Sequence, residues 1–128
     1  MNLLIDTCCL LWWAAEPARL PTEVLTALND EGNEIHLSVA SAWEIAIKTR
    51  TGKLAIALPP RKFVDDVVTR YELRLLDINL THGVRAGELE LHHRDPFDRM
   101  LIAQADIEGL TIATPDPAFT PYGVKVFW

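Results

Sequence analysis

Short apolar runs alternate along the chain with longer segments in which apolar residues recur every three or four positions. The run from Asn2 to Ile5 shows no polar alternation, which is typical of a strand buried on both faces. Similar runs predict strands at residues 34–38, 73–78 and 110–113, with a short edge strand at residues 125–127. The pattern therefore predicts four to five short strands spread over the whole chain.

Helical segments separate these strands. They are predicted at residues 7–15, 21–30, 61–71, 81–91 and 95–108, and a further helix capped by Ser38 or Ser41 ends near residue 50. Strands that alternate with helices form βαβ units, in which the strands run parallel and the helices cover both faces. We expect an α/β fold, a three-layer sandwich with a central, mainly parallel sheet flanked by helices. Residues 1–128 are expected to form a single domain.

The segment from Asp95 to Ala105 is predicted to be a helix with a carboxylate where an apolar residue is expected. Asp95 is a suitable N-cap, and Pro96 suits the first helical position. Helical spacing places Asp98 on the apolar face, and the more polar side is predicted to hold Arg99, Ala103 and Asp106. Because a buried carboxylate is costly unless it is paired, hydrogen-bonded or bound to a metal, we expect a partner for Asp98.

The composition is that of an ordinary globular protein, with 49% hydrophobic and 23% charged residues. A net charge of −6 argues against broad, non-specific binding to nucleic acid. The longest apolar run, from Cys8 to Ala15, is too short to span a bilayer, and the first residues do not resemble a signal peptide. Because the two cysteines are also adjacent and unsuited to a disulfide framework, we expect a cytoplasmic protein without a membrane segment.

Four acidic residues are predicted to lie at one edge of the sheet, outside the carboxyl ends of the strands, where open parallel sheets bind ligands. Asp6 directly follows the first strand, and Asp116 follows the fourth by a short turn. Glu44 and Asp98 lie in early turns of helices that begin at the same edge. Grouped carboxylates repel one another unless a cation lies among them, and ligation by oxygen alone favours Mg²⁺ or Mn²⁺ over zinc.

Each of these acids also has a purely structural interpretation. Asp6 is placed to cap the helix that follows it, and Asp98 to interact with a helix dipole. Glu44 either completes a capping box with Ser41 or pairs with Lys48 one turn later. The last acid lies between two prolines and suits a turn. For any one of the four residues alone, the sequence does not distinguish a structural role from a role in a shared site.

Four short motifs occur in order along the chain: Leu4–Thr7 (LIDT), Ser41–Ile45 (SAWEI), Asp95–Ala105 (DPFDRMLIAQA) and Thr114–Asp116 (TPD). Each motif is weak by itself, whereas the ordered set is specific, the DPFDRMLIAQA segment most of all. Together they resemble the PIN domain, specifically the VapC-type toxin ribonucleases of type II toxin-antitoxin systems. The resemblance spans essentially the whole chain.

The resemblance implies an endoribonuclease that depends on a divalent metal, with Mg²⁺ as the cofactor and Mn²⁺ as a substitute. The implied catalytic and metal-binding quartet is Asp6, Glu44, Asp98 and Asp116. The implied supporting residues are Thr7, Thr114 and Asp95, the last as a helix cap or an outer group of the site. Two departures from the family pattern, Pro115 and the Cys8–Cys9 pair, affect expected substrate contacts and remove no ligand.

The resemblance also implies partners. These are an RNA substrate, a cognate antitoxin, and further copies of the chain in a homodimer and in a toxin–antitoxin hetero-oligomer. A basic antitoxin tail suits an acidic groove on a protein of charge −6. Arg94 and Arg99 are predicted phosphate contacts, with Arg99 alternatively a surface partner of an acid.

Two other functions stay open. A receiver-type phospho-acceptor domain is also a small parallel α/β fold, although receivers place a second acid beside the first and Asp6 has none. A catalytically silent PIN-like module would bind RNA or protein without cleavage.

The four histidines are not expected to bind a metal. The consecutive His92 and His93 would diverge on a helix or a strand, and His36 and His82 are isolated and expected to be structural or exposed.

Overall fold

Five strands form one parallel sheet in the computed structural model, which describes residues 1–128. The strands are β1 (Asn2–Ile5), β2 (Glu34–Ser38), β3 (Arg74–Leu76), β4 (Thr111–Ala113) and β5 (Val126–Phe127). Their order across the sheet is β3-β2-β1-β4-β5, and every neighbouring pair is parallel. The predicted parallel sheet is therefore confirmed, with five strands.

Six helices cover the sheet. They are α1 (Thr7–Ala15), α2 (Thr22–Leu28), α3 (Val39–Arg50), α4 (Pro60–Arg70), α5 (Leu80–Glu88) and α6 (Pro96–Glu108). Two short 3-10 segments, Pro17–Arg19 and Pro117–Tyr122, complete the regular structure. None of the helices has both the length and the apolar character needed to cross a bilayer.

The central strand β1 is buried on both faces, as its unbroken apolar run predicts. Leu3, Leu4 and Ile5 have no exposed surface. Because side chains alternate along a strand, Leu3 and Ile5 pack into the larger core cluster, with side chains from α1 to α4, and Leu4 packs into a smaller cluster with α6. The predicted three-layer arrangement is confirmed, with the sheet as its middle layer.

The helix termini explain where the elements begin and end. Ser38 caps α3 by accepting from the backbone N–H of Ala40 at 3.0 Å. The predicted capping box of Ser41 and Glu44 is wrong, because Ser41 lies inside the helix and its buried hydroxyl has no partner. Asp95 caps α6 as predicted, and Gly109 ends this helix in a left-handed conformation.

Helix α6 differs from its prediction on one side. Arg99 and Ala103 were assigned to a polar side, but both are buried, and only Asp106 of that set is exposed. The reason is that α5 packs against α6 and covers this side. Helix α6 is therefore enclosed by the sheet on one side and by α5 on another.

Candidate active site

Asp6 lies at the carboxyl end of the central strand, where the chain turns from β1 into α1. One carboxylate oxygen, Oδ1, caps α1 by accepting from the backbone N–H of Cys9 at 2.7 Å. The other oxygen, Oδ2, accepts from the Thr114 hydroxyl at 2.5 Å. Asp6 is only 5% exposed, and this burial raises its pKa to about 6, with the negative charges of Asp116 and Glu44 adding to the effect. Asp6 is thus a helix cap and a strongly perturbed acid at once.

Thr114 and Asp116 follow β4, the strand that pairs with β1. Parallel pairing brings the ends of these two strands together, which is how Thr114 reaches Asp6 across 108 residues of sequence. The Thr114 hydroxyl also accepts from the backbone N–H of Asp116 at 3.0 Å. Asp116 caps the following 3-10 segment and lies exposed at the rim of the site.

Glu44 enters the site from the second turn of α3. It is buried, and its two oxygens accept from the Thr7 hydroxyl and from the Lys48 ammonium group, each at 2.5 Å. The hydrogen bond to Glu44 raises the pKa of Lys48. The predicted pairing of Glu44 with Lys48 is confirmed, and Thr7 holds the same carboxylate from the start of α1.

Asp98 enters from the first turn of α6. Its carboxylate oxygen Oδ2 lies 3.2 Å from Nε2 of His93, and Asp95 accepts from its backbone N–H at 3.1 Å. Burial, followed by the charge of Asp95, raises the pKa of Asp98 to about 6, although the hydrogen bond with His93 opposes the rise. Asp98 is partly rather than fully buried, with its side chain 20% exposed, and its partner on this helix face is a histidine in direct contact.

The four acids line a single cavity of about 390 Å³ at the carboxyl edge of the sheet. Its other polar walls come from Thr7, Asp95, Lys48 and Lys53. A larger and more open depression of about 770 Å³ lies at the amino edge of the sheet, and none of the predicted site residues line it. Four segments distant in sequence therefore bring their carboxylates to one place, which is the arrangement that the strand ends and helix starts predict.

The carboxylates of the cavity are held by protein donors. Both oxygens of Asp6 and of Glu44 accept hydrogen bonds from the chain itself. With the side chains placed in this way, no three Asp, Glu, His or Cys residues are close enough together to hold a metal ion. A cation would have to replace some of these hydrogen bonds as it bound.

The chemistry of the cavity fits a hard divalent cation. Its acidic donors are all carboxylate oxygens, which suit Mg²⁺ and Mn²⁺. The raised pKa values of Asp6 and Asp98 show that the folded protein holds negative charge there at a cost that a bound cation would remove. Lys48 offsets this charge at Glu44, and Asp6 and Asp98 have no comparable ammonium or guanidinium partner.

Arg99 is not a phosphate contact, and this prediction is wrong. The side chain is only 7% exposed, and its guanidinium donates to backbone carbonyls and to the Tyr122 hydroxyl. Arg94 is exposed and lines an apolar cavity beside Trp43 and Phe97, so its predicted contact with RNA stays a prediction.

The sequence pattern does not place His93 or Tyr122 in the site. Consecutive histidines diverge on regular elements, yet residues 92 and 93 lie in a loop and His93 turns toward Asp98. The available signal in the sequence is that His93 is a polar side chain five residues before Asp98 and just ahead of helix α6. Nothing in the sequence pattern pointed to Tyr122.

Comparison with known proteins agrees with this architecture. The family model described as "PIN domain" matches residues 3–124. Ribonuclease VapC22 of Mycobacterium tuberculosis is 25% identical over 118 residues, which cover 90% of this chain and 87% of that protein. Ribonuclease VapC16 of the same organism is 40% identical over 60 residues, which cover 47% of this chain and 43% of that protein.

Two solved structures are similar in fold. One is VapBC2 from Rickettsia felis, solved in complex with a DNA fragment from its promoter. It matches with a TM-score of 0.69 and 18% identity over 100% of this chain and 99% of that one. FitAcB from Neisseria gonorrhoeae matches with a TM-score of 0.63 and 21% identity over 98% of this chain and 96% of that one. The family match over nearly the whole length, together with this shared fold, shows that the chain belongs to the PIN domain family.

Proposed function

We propose that this protein is the toxin of a type II toxin-antitoxin pair and that it hydrolyses RNA phosphodiester bonds with Mg²⁺, or Mn²⁺ in its place. The single observation that carries the proposal is the convergence of Asp6, Glu44, Asp98 and Asp116 on one cavity. The likeness to proteins named as ribonucleases supports it. We further propose that residues 1–128 act as one domain in the cytoplasm.

The four carboxylates would hold the cation and would be the catalytic residues. A divalent cation supplies activation of water and neutralisation of phosphate charge when it is bound at such a site. The Thr7 and Thr114 hydroxyls keep Glu44 and Asp6 oriented, because each donates to one carboxylate oxygen. The orientation of these acids is therefore set by the fold before any substrate arrives.

Positive charge for contact with an RNA backbone comes from two lysines that line the cavity, Lys48 and Lys53. Arg94, exposed just ahead of α6, lines a separate apolar cavity and is proposed as a further contact. Because the whole chain carries a charge of −6, these groups favour a local contact with phosphates over general coating of RNA.

An antitoxin partner is part of the same proposal. The structurally similar chains come from VapBC2 and FitAcB, and the former was solved with promoter DNA. A basic segment of an antitoxin would complement the acidic cavity and would compete with RNA for it. We also propose that the toxin forms a homodimer and joins its antitoxin in a hetero-oligomer.

A receiver-type function is not favoured by this structure. The observed order β3-β2-β1-β4-β5 differs from the 2-1-3-4-5 order of receiver-like sheets. Asp6 would have to accept the phosphoryl group, yet it is buried and both its oxygens accept hydrogen bonds from the chain. A silent binding module differs from the proposed enzyme only in lacking cleavage, so the test below separates the two.

The test is cleavage of total bacterial RNA by the purified chain with Mg²⁺, with Mn²⁺, or with a chelator, followed by mapping of the new RNA ends. We expect cleavage that requires the metal and that Asp98→Asn or Asp6→Asn reduces by about 100-fold or more. Asp66→Asn, at an exposed acid paired with Arg70, is the matched control and should cleave like the wild type. Binding of RNA without cleavage would favour the silent module and overturn the enzyme.

The same variants test the toxin in cells. Expression of the wild-type chain in a bacterium that lacks the partner should arrest growth, and Asp98→Asn should abolish the arrest. Arrest that persists unchanged in Asp98→Asn would show that nuclease activity does not explain the toxicity.

A further inference from the structure

The Tyr122 hydroxyl joins three parts of the chain next to the candidate active site. It lies 3.1 Å from the backbone nitrogen of His93, 2.7 Å from Nδ1 of the same histidine, and 3.2 Å from Nη1 of Arg99. The opposite ring nitrogen of His93, Nε2, lies 3.2 Å from Oδ2 of Asp98. A continuous hydrogen-bonded chain therefore runs from Arg99 through Tyr122 and His93 to Asp98.

The direction of each hydrogen bond follows from the donors available. The backbone N–H of His93 and the guanidinium of Arg99 can only donate, so both donate to the Tyr122 oxygen. The hydroxyl hydrogen of Tyr122 then has two acceptors within reach, Nδ1 of His93 at 2.7 Å and the His93 carbonyl at 3.4 Å, and the shorter distance favours Nδ1. An Nδ1 that accepts leaves the ring hydrogen on Nε2, which donates it to Asp98.

Arg99 holds this arrangement in place because its buried charge is satisfied by backbone. Nη2 donates to the carbonyls of Ala86 and Leu89 at 3.1 and 2.9 Å, and Nη1 donates to the carbonyl of Glu90 at 2.9 Å. The first two carbonyls belong to the carboxyl end of α5, where helices leave carbonyls unpaired and where a positive charge is favoured. Arg99 thereby fixes the segment between α5 and α6, which carries His93.

We propose that His93, oriented by Tyr122 and Arg99, is a positioning residue for Asp98: it donates from Nε2 to Oδ2 and leaves the other carboxylate oxygen of Asp98 for the cavity. This inference rests on the proposed function, since it takes Asp98 to be a metal ligand. It gives Arg99 a structural part in the site in place of the phosphate contact expected from the sequence.

The expected consequence is on metal affinity. Partners that orient a metal ligand typically change affinity by roughly 10- to 100-fold when they are removed. Without His93, Oδ2 of Asp98 would lose its ring N–H donor and the carboxylate would be free to rotate. His93→Ala should therefore weaken metal binding without removing any ligand.

The first test is calorimetric titration of MnCl₂ into the purified chain and its variants. We expect His93→Ala to bind Mn²⁺ about tenfold or more weakly, and His93→Gln to recover most of the affinity because its amide can donate from a similar position. Tyr122→Phe should also weaken binding. The control is Asp66→Asn, because this exposed acid pairs with Arg70 and contacts neither Tyr122 nor the cavity.

The second test needs no metal. Nitrogen-15 spectra of the metal-free chain at pH 8, above the range in which imidazole usually titrates, should show the hydrogen of His93 on Nε2. Tyr122→Phe should remove this preference, while an unchanged circular dichroism spectrum shows that the variant keeps the fold. A merely structural role for Tyr122 would leave the tautomer of His93 as it is in the wild type.

The outcomes separate this inference from the proposed function. If the wild type binds Mn²⁺ and cleaves RNA, while His93→Ala binds Mn²⁺ equally well, the inference is overturned and the proposed function is not. A hydrogen on Nδ1 of His93 would overturn it as well. If the wild type takes up no Mn²⁺ and leaves RNA intact, the proposed function fails, and the positioning of a metal ligand fails with it.

Discussion

Burial makes Asp6 the acid whose protonation couples most directly to folding. Burial raises its pKa from 3.8 to about 6, so between these values the folded protein binds more protons than the unfolded chain. The stabilisation that protonated Asp6 contributes to the fold is fully present below pH 4 and is lost as the pH rises through 6. Asp98, whose pKa is also raised to about 6, acts in the same direction.

We therefore predict that the metal-free protein loses stability from pH 5 to pH 8, with Asp6 contributing roughly 1 kcal/mol of the loss. Urea unfolding in the presence of a chelator measures this directly. Asp6→Asn removes the titrating carboxyl and should flatten the profile. Parallel pH profiles for the wild type and Asp6→Asn would contradict the prediction.

The Thr114 hydroxyl is predicted to matter most when Asp6 is charged. Thr114→Val leaves Oδ2 of a buried carboxylate without its 2.5 Å donor, at a cost of about 1–3 kcal/mol. The loss should be larger at pH 8 than at pH 5, because the protonated acid needs the donor less. Thr114→Ser keeps the hydroxyl and serves as the control, and equal destabilisation by the two variants would contradict the prediction.

Some residues of the site could be predicted from local sequence patterns, whereas others could be found only from contacts in the folded structure. Asp6 and Asp116 could be placed together because each follows a strand, and parallel strands end at one edge. The contact between His93 and Tyr122 joins a loop to the end of a 3-10 segment 29 residues later, and no periodic pattern encodes it. Asp6 also shows that the structural and functional interpretations of an acid are compatible, since its two oxygens serve a helix cap and the site.

At the scale of elements, the glycines give a matched pair of predictions. Gly109 ends α6 with a φ of 68°, so Gly109→Ala should destabilise by about 1 kcal/mol although no atom lies within contact of the added methyl. Gly83 lies inside α5, where the added methyl also meets nothing, so Gly83→Ala should stabilise by about 0.5–1 kcal/mol. Chemical denaturation of both variants measures the difference, and equal signs would contradict the conformational explanation.

The helices and strands could be predicted because their apolar spacing and their caps are local properties. Strand β1 and helix α1 have the predicted bounds, while the strand predicted at 73–78 is limited to Arg74–Leu76. The polar side assigned to α6 was wrong because burial there depends on α5, a neighbour that the spacing of α6 cannot reveal. Arg99 looked like a surface residue for the same reason.

At the scale of the molecule, metal and protons are predicted to compete for the cavity. Mn²⁺ should raise the melting temperature, and the rise should be greater at pH 7.5 than at pH 5.5, because the carboxyls of Asp6 and Asp98 have pKa values of about 6. Thermal unfolding with and without Mn²⁺ at the two pH values measures this. Asp98→Asn should lose most of the shift, and an equal shift at both pH values would contradict the competition.

The parallel sheet and its two covered faces could be predicted, but the order of its strands could not. Alternation of strands and helices indicates parallel pairing without stating which strands are neighbours. The order is a property of the packed molecule: β1, formed first in sequence, lies at the centre with β2 and β4 on either side.

The central position of β1 also bears on when the protein becomes active during its synthesis. The hydrogen bond between Asp6 and Thr114 spans 108 residues, and β4 adds to the sheet beside a strand made more than 100 residues earlier. A nascent chain cannot assemble this centre until Thr114 and Asp116 have left the ribosome. The ribosome that makes the enzyme thus carries an inactive chain until that point, and cleavage of RNA begins only afterwards.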